Sequence, residues 1–183
     1  LHGAVADLAE PVTGVLLVGG ASRRFGSPKA LAELDGEPFA VRIHRTLAEA
    51  FPHVVAVGKA ADRLDLPFPV EDDGSELRAA LVGLVAGLRL SPTELAVVVP
   101  TDVPFVTADY LRVLAAAARE ATAAHPESGP LPGAYRRAAL PVLERRLAAG
   151  ELALRDAAAE LEARVVPDDQ ELLRNVNTPA DLP

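Results

Sequence analysis

The sequence predicts an α/β fold of three layers, α/β/α, in which helices cover both faces of a mostly parallel sheet. Two observations support this prediction. Short apolar runs rich in β-branched residues alternate with segments of helical period along the 183 residues. The runs have no alternating polar face, which is typical of strands buried on both sides. The length predicts one domain over 1–183, with an N-terminal half over about 12–123 and a C-terminal half over about 124–183.

The boundaries of the elements follow from apolar runs, helical periodicity and turn signals. Strands are predicted at residues 14–18, 53–57, 95–99 and 164–166. Helices are predicted at residues 39–50, 76–90, 108–122, 138–149 and 152–162. Thr107 is expected to cap one helix and Gly150 to end another. The proline-rich segment 124–135 is expected to be a surface crossing between the two halves.

The composition excludes several classes of function. The chain has no cysteine, so it has no disulfide, thiolate metal site or thiol catalysis. A net charge of −8 and a pI near 5.0 argue against nucleic-acid binding, which needs a basic face. No apolar run approaches the roughly 18 residues of a membrane helix. The first residues, LHGAVADLAEPVTG, have no basic region and are not expected to be a signal peptide. The composition therefore predicts a cytoplasmic protein.

The first predicted strand runs into a glycine pair that is followed by cations. Gly19 and Gly20 let the backbone turn sharply and approach a ligand closely. Arg23, Arg24 and Lys29 add positive charge within an acidic chain. Ligands of open parallel sheets bind beyond the carboxyl ends of the strands. The spacing matches neither the P-loop nor the dinucleotide fingerprint. Two alternatives remain: a phosphate-binding loop, or an ordinary strand–turn–helix connection with solvated cations.

A second loop with potential chemistry, PTDVPF, follows the apolar run at 95–99. Pro100 cannot donate to a central ladder, so the strand is expected to end there and to present Asp102 beside the glycine loop. A carboxylate in that position suits Mg²⁺, a hard ion that also binds phosphates. The alternative is an Asp that bonds its own backbone in a turn. The neighbouring cationic loop favours the metal.

Four motifs resemble those of nucleotidyltransferases of the molybdenum cofactor type. LLVGGASRRFGSPKAL is similar to the signature L-x-G-G-x-S-x-R-M-G-x-x-K, and PTDVPFVTADYLRVL resembles the family's D-M-P-F segment. LPGAYRRAALPVLERRLAAGELAL resembles its second-half hairpin and helix, and NVNTPADL its N-x-N-T-P-x-D-L tail. The glycine loop alone indicates the wider superfamily, which includes sugar-phosphate pyrophosphorylases. The asparagine tail narrows the resemblance to the MobA-like guanylyltransferases.

The resemblance implies both a fold and an activity. The fold would be Rossmann-like and similar to nucleotide-diphospho-sugar transferases, with a single nucleotidyltransferase domain. The activity would be Mg²⁺-dependent transfer of GMP from GTP to the molybdopterin-bound molybdenum cofactor, with release of pyrophosphate. GTP and molybdopterin would be the substrates. Cofactor carrier or insertion proteins and the recipient apoenzymes would be the protein partners.

The resemblance also implies roles for individual residues. Lys29 would hold the phosphates, Asp102 would bind Mg²⁺, and Arg23 would assist catalysis. Asn175 and Asn177 would face the pterin acceptor. The nucleotide-binding residues would be Leu17, Val18, Gly19, Gly20, Ser22, Lys29, Asp72 and Asp102, with Asp72 near the base and ribose.

The chain departs from the family pattern at residues 79–83, which read AALVG where the family usually has G-P-L-A-G. This departure leaves base specificity open. The alternatives are a molybdopterin cytidylyltransferase, another sugar- or isoprenoid-phosphate nucleotidyltransferase, or a nucleotide-binding homologue without catalysis. The tail has an alternative as well, because Thr178 followed by Pro179 suits the start of a helix.

Overall fold

A computed structural model describes residues 10–19 and 28–181 of the chain. The strands, in chain order, are β1 (Val12–Leu17), β2 (Glu33–Leu34), β3 (Glu37–Pro38), β4 (His53–Gly58), β5 (Val70–Asp72), β6 (Leu95–Pro100), β7 (Ala123–Pro126), β8 (Gly133–Arg136) and β9 (Ala163–Val166). The α-helices are α1 (Phe39–Ala50), α2 (Ala80–Leu90), α3 (Ala108–Ala117), α4 (Leu140–Ala148) and α5 (Leu154–Ala159).

Seven of these strands form one sheet in the order β5-β4-β1-β6-β8-β7-β9. The central strand β1 pairs in parallel with β4 on one side and β6 on the other. Strand β8 runs antiparallel to both β6 and β7, and β9 is parallel to β7. β2 and β3 form a separate antiparallel pair. The prediction of a mostly parallel α/β sheet is confirmed.

Helices pack on both faces of the sheet because neighbouring strand residues point in opposite directions. Leu16 and Val97 belong to the apolar cluster under α1 and α3, whereas Val15 and Val98 belong to the cluster under α2, α4 and α5. The fully buried helix side chains on the first face include Ile43, Leu47, Leu111 and Leu114. Those on the second face include Leu81, Leu84, Leu88 and Leu143. The strands are thus apolar on both sides, as the sequence predicts.

The predicted element ends agree with the structure at several points. Helix α1 spans the predicted 39–50, and Thr107 caps α3 by accepting a hydrogen bond from the Tyr110 N–H. Gly150 follows α4 with a φ of +73°, a left-handed conformation that glycine adopts without strain. Helix α2 begins at Ala80 rather than at residue 76, because the preceding residues form a hydrogen-bonded loop with Ala79 extended.

The prediction of a surface crossing at 124–135 was wrong. Most of that segment lies in the sheet as β7 and β8, and only residues 127–132 connect the two strands. Ala124, Ala134 and Tyr135 are fully buried. Gly133 is required by the close approach of the connection, since a Cβ there would lie 2.5 Å from the carbonyl oxygen of Pro130. These alanine-rich strands lack the β-branched residues that predict strands from sequence.

The strand directions bring the polar loops to one edge of the sheet, here called the carboxyl edge. Strands β1, β4, β5 and β6 end there, and so do β7 and β9, because both run in the same direction as β6. At the opposite edge, buried hydroxyl groups link β1 to the segment that precedes β6. Thr13 Oγ1 lies 2.8 Å from Thr93 Oγ1, and Thr93 Oγ1 donates to the Leu95 carbonyl. In the two described ranges, no helix combines the length and apolarity that crossing a bilayer requires.

Candidate functional site

A cation, an amide and a carboxylate meet at the carboxyl edge. The Lys29 ammonium donates to Asn177 Oδ1 at 2.7 Å, although 148 residues separate them along the chain. Asp102 follows β6 and is close enough to Lys29 for each charge to act on the other. The fold therefore brings together three predicted site residues that come from three separate sequence motifs.

The C-terminal tail reaches this point because Val176 anchors it. Val176 is fully buried, and its N–H donates to the carbonyl oxygen of Asp102 at 2.8 Å. The residues packed around it are Ala32, Leu34, Phe39 and Phe105. Asp181 then accepts from the N–H groups of Asn177 and Thr178 at 2.8 and 2.7 Å. The bond to Thr178 is half of a capping box for the 3-10 turn that begins at Pro179. The side chain of Asn177 is thereby held against Lys29.

Partial burial shapes the electrostatics of this cluster. Burial lowers the pKa of Lys29 below its ordinary value, and the negative charges of Asp102 and Asp181 oppose that shift. Burial likewise raises the pKa of Asp102, and the positive charge of Lys29 opposes the shift. Both groups have lost water that favours their charged forms. A ligand that brings an anion to Lys29 and a cation to Asp102 would restore that favourable environment.

The donor set at Asp102 fits Mg²⁺ better than a metal enclosed by protein side chains. In the part of the chain that the structure describes, no group of three or more His, Asp or Glu side chains could hold a metal. Mg²⁺ characteristically takes one or two carboxylates and completes its shell with phosphate oxygens and water. Asp102 would be the protein ligand of such an ion.

A pocket of about 190 Å³, here called the strand-end pocket, opens at the carboxyl ends of β1, β4 and β6. Its lining residues are Leu17, Gly19, Val57, Gly58, Lys59, Asp73, Arg78, Ala79, Ala80, Gly83, Pro100 and Leu131. Glycines let the walls approach each other. A Cβ at Gly58 would lie 2.7 Å from Val18 Cγ2, and one at Gly83 would lie 3.1 Å from Leu17 Cδ2. Lys29 and Asp102 lie outside this lining.

The loop between β5 and α2 forms one wall of the pocket. The Lys59 ammonium donates to Asp73 Oδ1 at 2.7 Å and to the carbonyl oxygens of Ser75 and Leu77 at 2.5 and 2.6 Å. Arg78, at the end of the loop, pairs with Asp62 through both terminal nitrogens. Lys59, Asp73 and Arg78 were not among the predicted site residues. One signal was available, because Lys59 and Lys29 are the only lysines in the chain.

The remaining predicted residues are distributed around the two features. Leu17 and Gly19 line the strand-end pocket, and the buried Val18 donates its N–H to the Val57 carbonyl. Asn175 is exposed on the tail. Asp72 turns to the backbone, with Oδ2 accepting from Ala60 and Oδ1 from Gly74. The predictions for Gly20, Ser22 and Arg23 lie outside the described residues.

Comparisons with known proteins agree with the sequence motifs. Residues 14–165 match the profile of the MobA-like NTP transferase domain. A probable molybdenum cofactor guanylyltransferase of Chloroflexus aggregans is 33% identical over 191 residues, which cover 93% of this chain and 91% of that protein. A protein of the same description from Deinococcus radiodurans is 37% identical over 182 residues, covering 94% and 92%.

A solved structure is similar in fold. The molybdopterin-guanine dinucleotide biosynthesis protein A of Archaeoglobus fulgidus superimposes with a TM-score of 0.78, covering 92% of this chain and 94% of that chain at 24% identity. That likeness supports the Rossmann-like α/β assignment of the sheet and its helices. The family match spans well over half of the chain, and the sequence relatives span nearly all of it. The chain therefore belongs to the MobA-like NTP transferase family.

Proposed function

We propose that this protein transfers GMP from GTP to the molybdopterin-bound molybdenum cofactor in a Mg²⁺-dependent reaction that releases pyrophosphate. The observation that supports this proposal most directly is the Lys29–Asn177 contact beside Asp102. It brings together the cation proposed to bind phosphate and the amide proposed to face the acceptor, beside the carboxylate proposed to bind the metal. The guanylyltransferase descriptions of the relatives support the choice of substrates.

In the proposed reaction, an oxygen of the pterin phosphate attacks the α-phosphorus of GTP. A new phosphorus–oxygen bond forms, and the bond to the bridging oxygen of the β-phosphate breaks as pyrophosphate leaves. Such transfers depend mainly on positioning and charge neutralisation. Lys29 neutralises phosphate oxygens, and Asn177 orients Lys29 beside the acceptor. Mg²⁺ bound at Asp102 would stabilise the charge that develops on the phosphate oxygens.

The strand-end pocket is the proposed site of the nucleoside. Its lining is mainly apolar, with Leu17, Val57 and Leu131 among its walls, and suits the faces of a base. Gly19 and Pro100 belong to this lining, and Pro100 precedes Asp102 by two residues. A nucleotide bound with its base in the pocket would therefore extend its phosphates toward Lys29 and Asp102.

Calorimetry with GTP, CTP, ATP and UTP, with and without Mg²⁺, tests the proposal. We expect a preference for GTP that Mg²⁺ strengthens, and pyrophosphate release when molybdopterin is added. A preference for CTP would indicate a cytidylyltransferase. Absence of binding to all four nucleotides would contradict the nucleotide site. The proposal also includes a cytoplasmic location, with cofactor carrier or insertion proteins and recipient apoenzymes as partners.

Two variants test the assigned roles. Lys29→Met removes a charged hydrogen-bond donor, so we expect GTP affinity to fall by about 10-fold to 100-fold. Asp102→Asn should abolish the strengthening of GTP binding by Mg²⁺ and leave metal-free binding nearly unchanged. Arg89→Met is the matched control, because Arg89 is an exposed cation paired with Glu144 on the helical surface. If Lys29→Met behaves like Arg89→Met, Lys29 does not contact the nucleotide.

A further inference from the structure

The chain uses arginine for almost all of its positive charge. Lys29 and Lys59 are its only two lysines, against sixteen arginines. Both lysines lie at the carboxyl edge, and the proposed function uses only Lys29. Lys59 follows β4 directly and lines the strand-end pocket. The presence of a lysine at this position, in a chain that otherwise uses arginine, raises the question of which contacts an ammonium makes there that a guanidinium could not.

The answer lies in the geometry of its hydrogen bonds. The three donors of the Lys59 ammonium match three acceptors: Asp73 Oδ1 at 2.7 Å and the carbonyl oxygens of Ser75 and Leu77 at 2.5 and 2.6 Å. The side chains of Lys59 and Asp73 are only 10% and 7% exposed. Three acceptors around one nitrogen require a compact tripod of donors, whereas the donors of arginine form a planar fork. Lys59 thus fixes the course of residues 73–77 along the pocket.

This arrangement leaves one oxygen of Asp73 available. Oδ1 accepts from both Lys59 and the Ser75 N–H, whereas no bond to Oδ2 occurs in the described part of the chain. Asp73 is also the one carboxylate among the described residues that line the strand-end pocket. The neighbouring Asp72 differs, because each of its oxygens already accepts a backbone N–H.

We propose that Asp73, positioned by Lys59, selects guanine in the strand-end pocket. Guanine presents two adjacent donors, N1–H and the N2 amino group, and the two lone-pair sites of the free Oδ2 can accept both. Adenine and cytosine instead present an amino donor beside an acceptor nitrogen, and uracil presents a single N–H between two carbonyls. Asp73 would therefore contact the base, and Lys59 would be a positioning residue. This inference rests on the proposed function, since it assumes that the pocket holds the base of a nucleoside triphosphate.

Asp73→Asn provides the sharpest test, with GTP and XTP as probes. Xanthine has a carbonyl where guanine has its N2 amino group. In Asp73→Asn the amide nitrogen takes the place of the free Oδ2, so it can donate to the xanthine carbonyl but meets the N2 amino group of guanine as a second donor. We expect GTP affinity to fall by about 10-fold to 100-fold and the XTP:GTP affinity ratio to rise by at least about 10-fold. The ratio of two affinities measured on one preparation does not depend on its active fraction.

Asp65→Asn is the matched control for the same loss of charge, because Asp65 is exposed and does not line the strand-end pocket. It should leave the XTP:GTP ratio within about threefold of the unsubstituted protein. Asp72→Asn is measured beside it, since Asp72 is the other acid predicted to lie near the base. An unchanged ratio in Asp73→Asn, or loss of GTP binding without a relative gain for XTP, would overturn the base-reading role. A ratio that changes in Asp72→Asn alone would assign that role to Asp72.

Lys59→Arg tests the positioning role, because it keeps the charge and removes the tripod. We expect it to lower the GTP:ATP affinity ratio about as much as Lys59→Met does, whereas a purely electrostatic role would be rescued by arginine. If Lys59→Met does not fold because Asp73 is left buried and unpaired, Lys59→Gln replaces it, since glutamine can still donate to Asp73 but lacks the charge and the tripod. Retention of the GTP:ATP ratio in Lys59→Arg would overturn the positioning role.

The proposed function and the role of Asp73 can be contradicted separately. If the unsubstituted protein does not prefer GTP, the proposed guanylyltransferase function is wrong. If it prefers GTP and Asp73→Asn leaves the XTP:GTP ratio unchanged, only the Asp73 inference is wrong.

Discussion

Val176→Ala should release the C-terminal tail from the site. Val176 is fully buried, and its truncation to alanine removes two side-chain carbons from the cluster around Phe39. At about 0.8 kcal/mol for each buried carbon, plus a small term for the cavity, the free energy that favours the docked tail should fall by about 2 kcal/mol. That free energy corresponds to a roughly 30-fold increase in the undocked population. Asn177 would then leave Lys29 about 30-fold more often.

Hydrogen exchange measured by mass spectrometry on peptides covering residues 170–181 tests this expectation. We expect exchange there to accelerate by about 30-fold, while the thermal midpoint changes little because local undocking precedes global unfolding. Val165→Ala is the control, since Val165 is 59% exposed and its truncation removes little packing. A lowered thermal midpoint with unchanged exchange in the tail would refute the reasoning, because Val176 would then belong to the global core.

Three further outcomes are expected. The pH profile of kcat/KM should fall on the acid side at a pH above the ordinary pKa of aspartate, because burial raises the pKa of Asp102 and protonation would displace the Mg²⁺ proposed to bind there. The profile should fall on the alkaline side at a pH below the ordinary pKa of lysine, because burial lowers the pKa of Lys29. Added Mg²⁺ should move only the acid limb, to lower pH, because the metal competes with the proton for the carboxylate. Gly133→Ala should destabilise the protein by about 3 kcal/mol in urea unfolding, since the new Cβ meets a carbonyl oxygen at 2.5 Å; a change under about 1 kcal/mol would contradict the steric argument. Thr107→Val should lower stability by about 0.5–1 kcal/mol through loss of the cap of α3, and Thr107→Ser should retain most of it.

The central elements could be predicted because their local pattern agrees with their environment. Strands β1, β4 and β6 are mainly apolar runs rich in β-branched residues, and helix α1 carries a clear apolar face ending in Leu47. Strands β7 and β8 could not be predicted, because alanines such as Ala124 and Ala134 have little preference for strands. Their state depends on pairing with β6 and β9, which only the tertiary structure supplies.

The site was predictable where its residues follow recognisable strands. Asp102 and Gly19 could be selected because each comes directly after an apolar run. The wall containing Asp73 could not be found in this way, because the preceding β5 is a three-residue strand with two exposed acids. The contact between Lys29 and Asn177 spans 148 positions and depends on the burial of a tail that has no regular periodicity.

The reversed direction of β8 has a consequence for how the family's specificity can change. Because β8 starts at the carboxyl edge, the connection at 127–132 delivers Leu131 to the strand-end pocket, and residues 137–139 leave from the other edge. The two edges therefore have different contents: the carboxyl edge carries the loops of the candidate site, and the opposite edge carries the hydroxyl contacts of Thr13 and Thr93 that link the strands. Substitutions or insertions in the 127–132 connection can change the lining of the strand-end pocket without disturbing those contacts, which makes this connection a suitable place to alter the proposed nucleotide site.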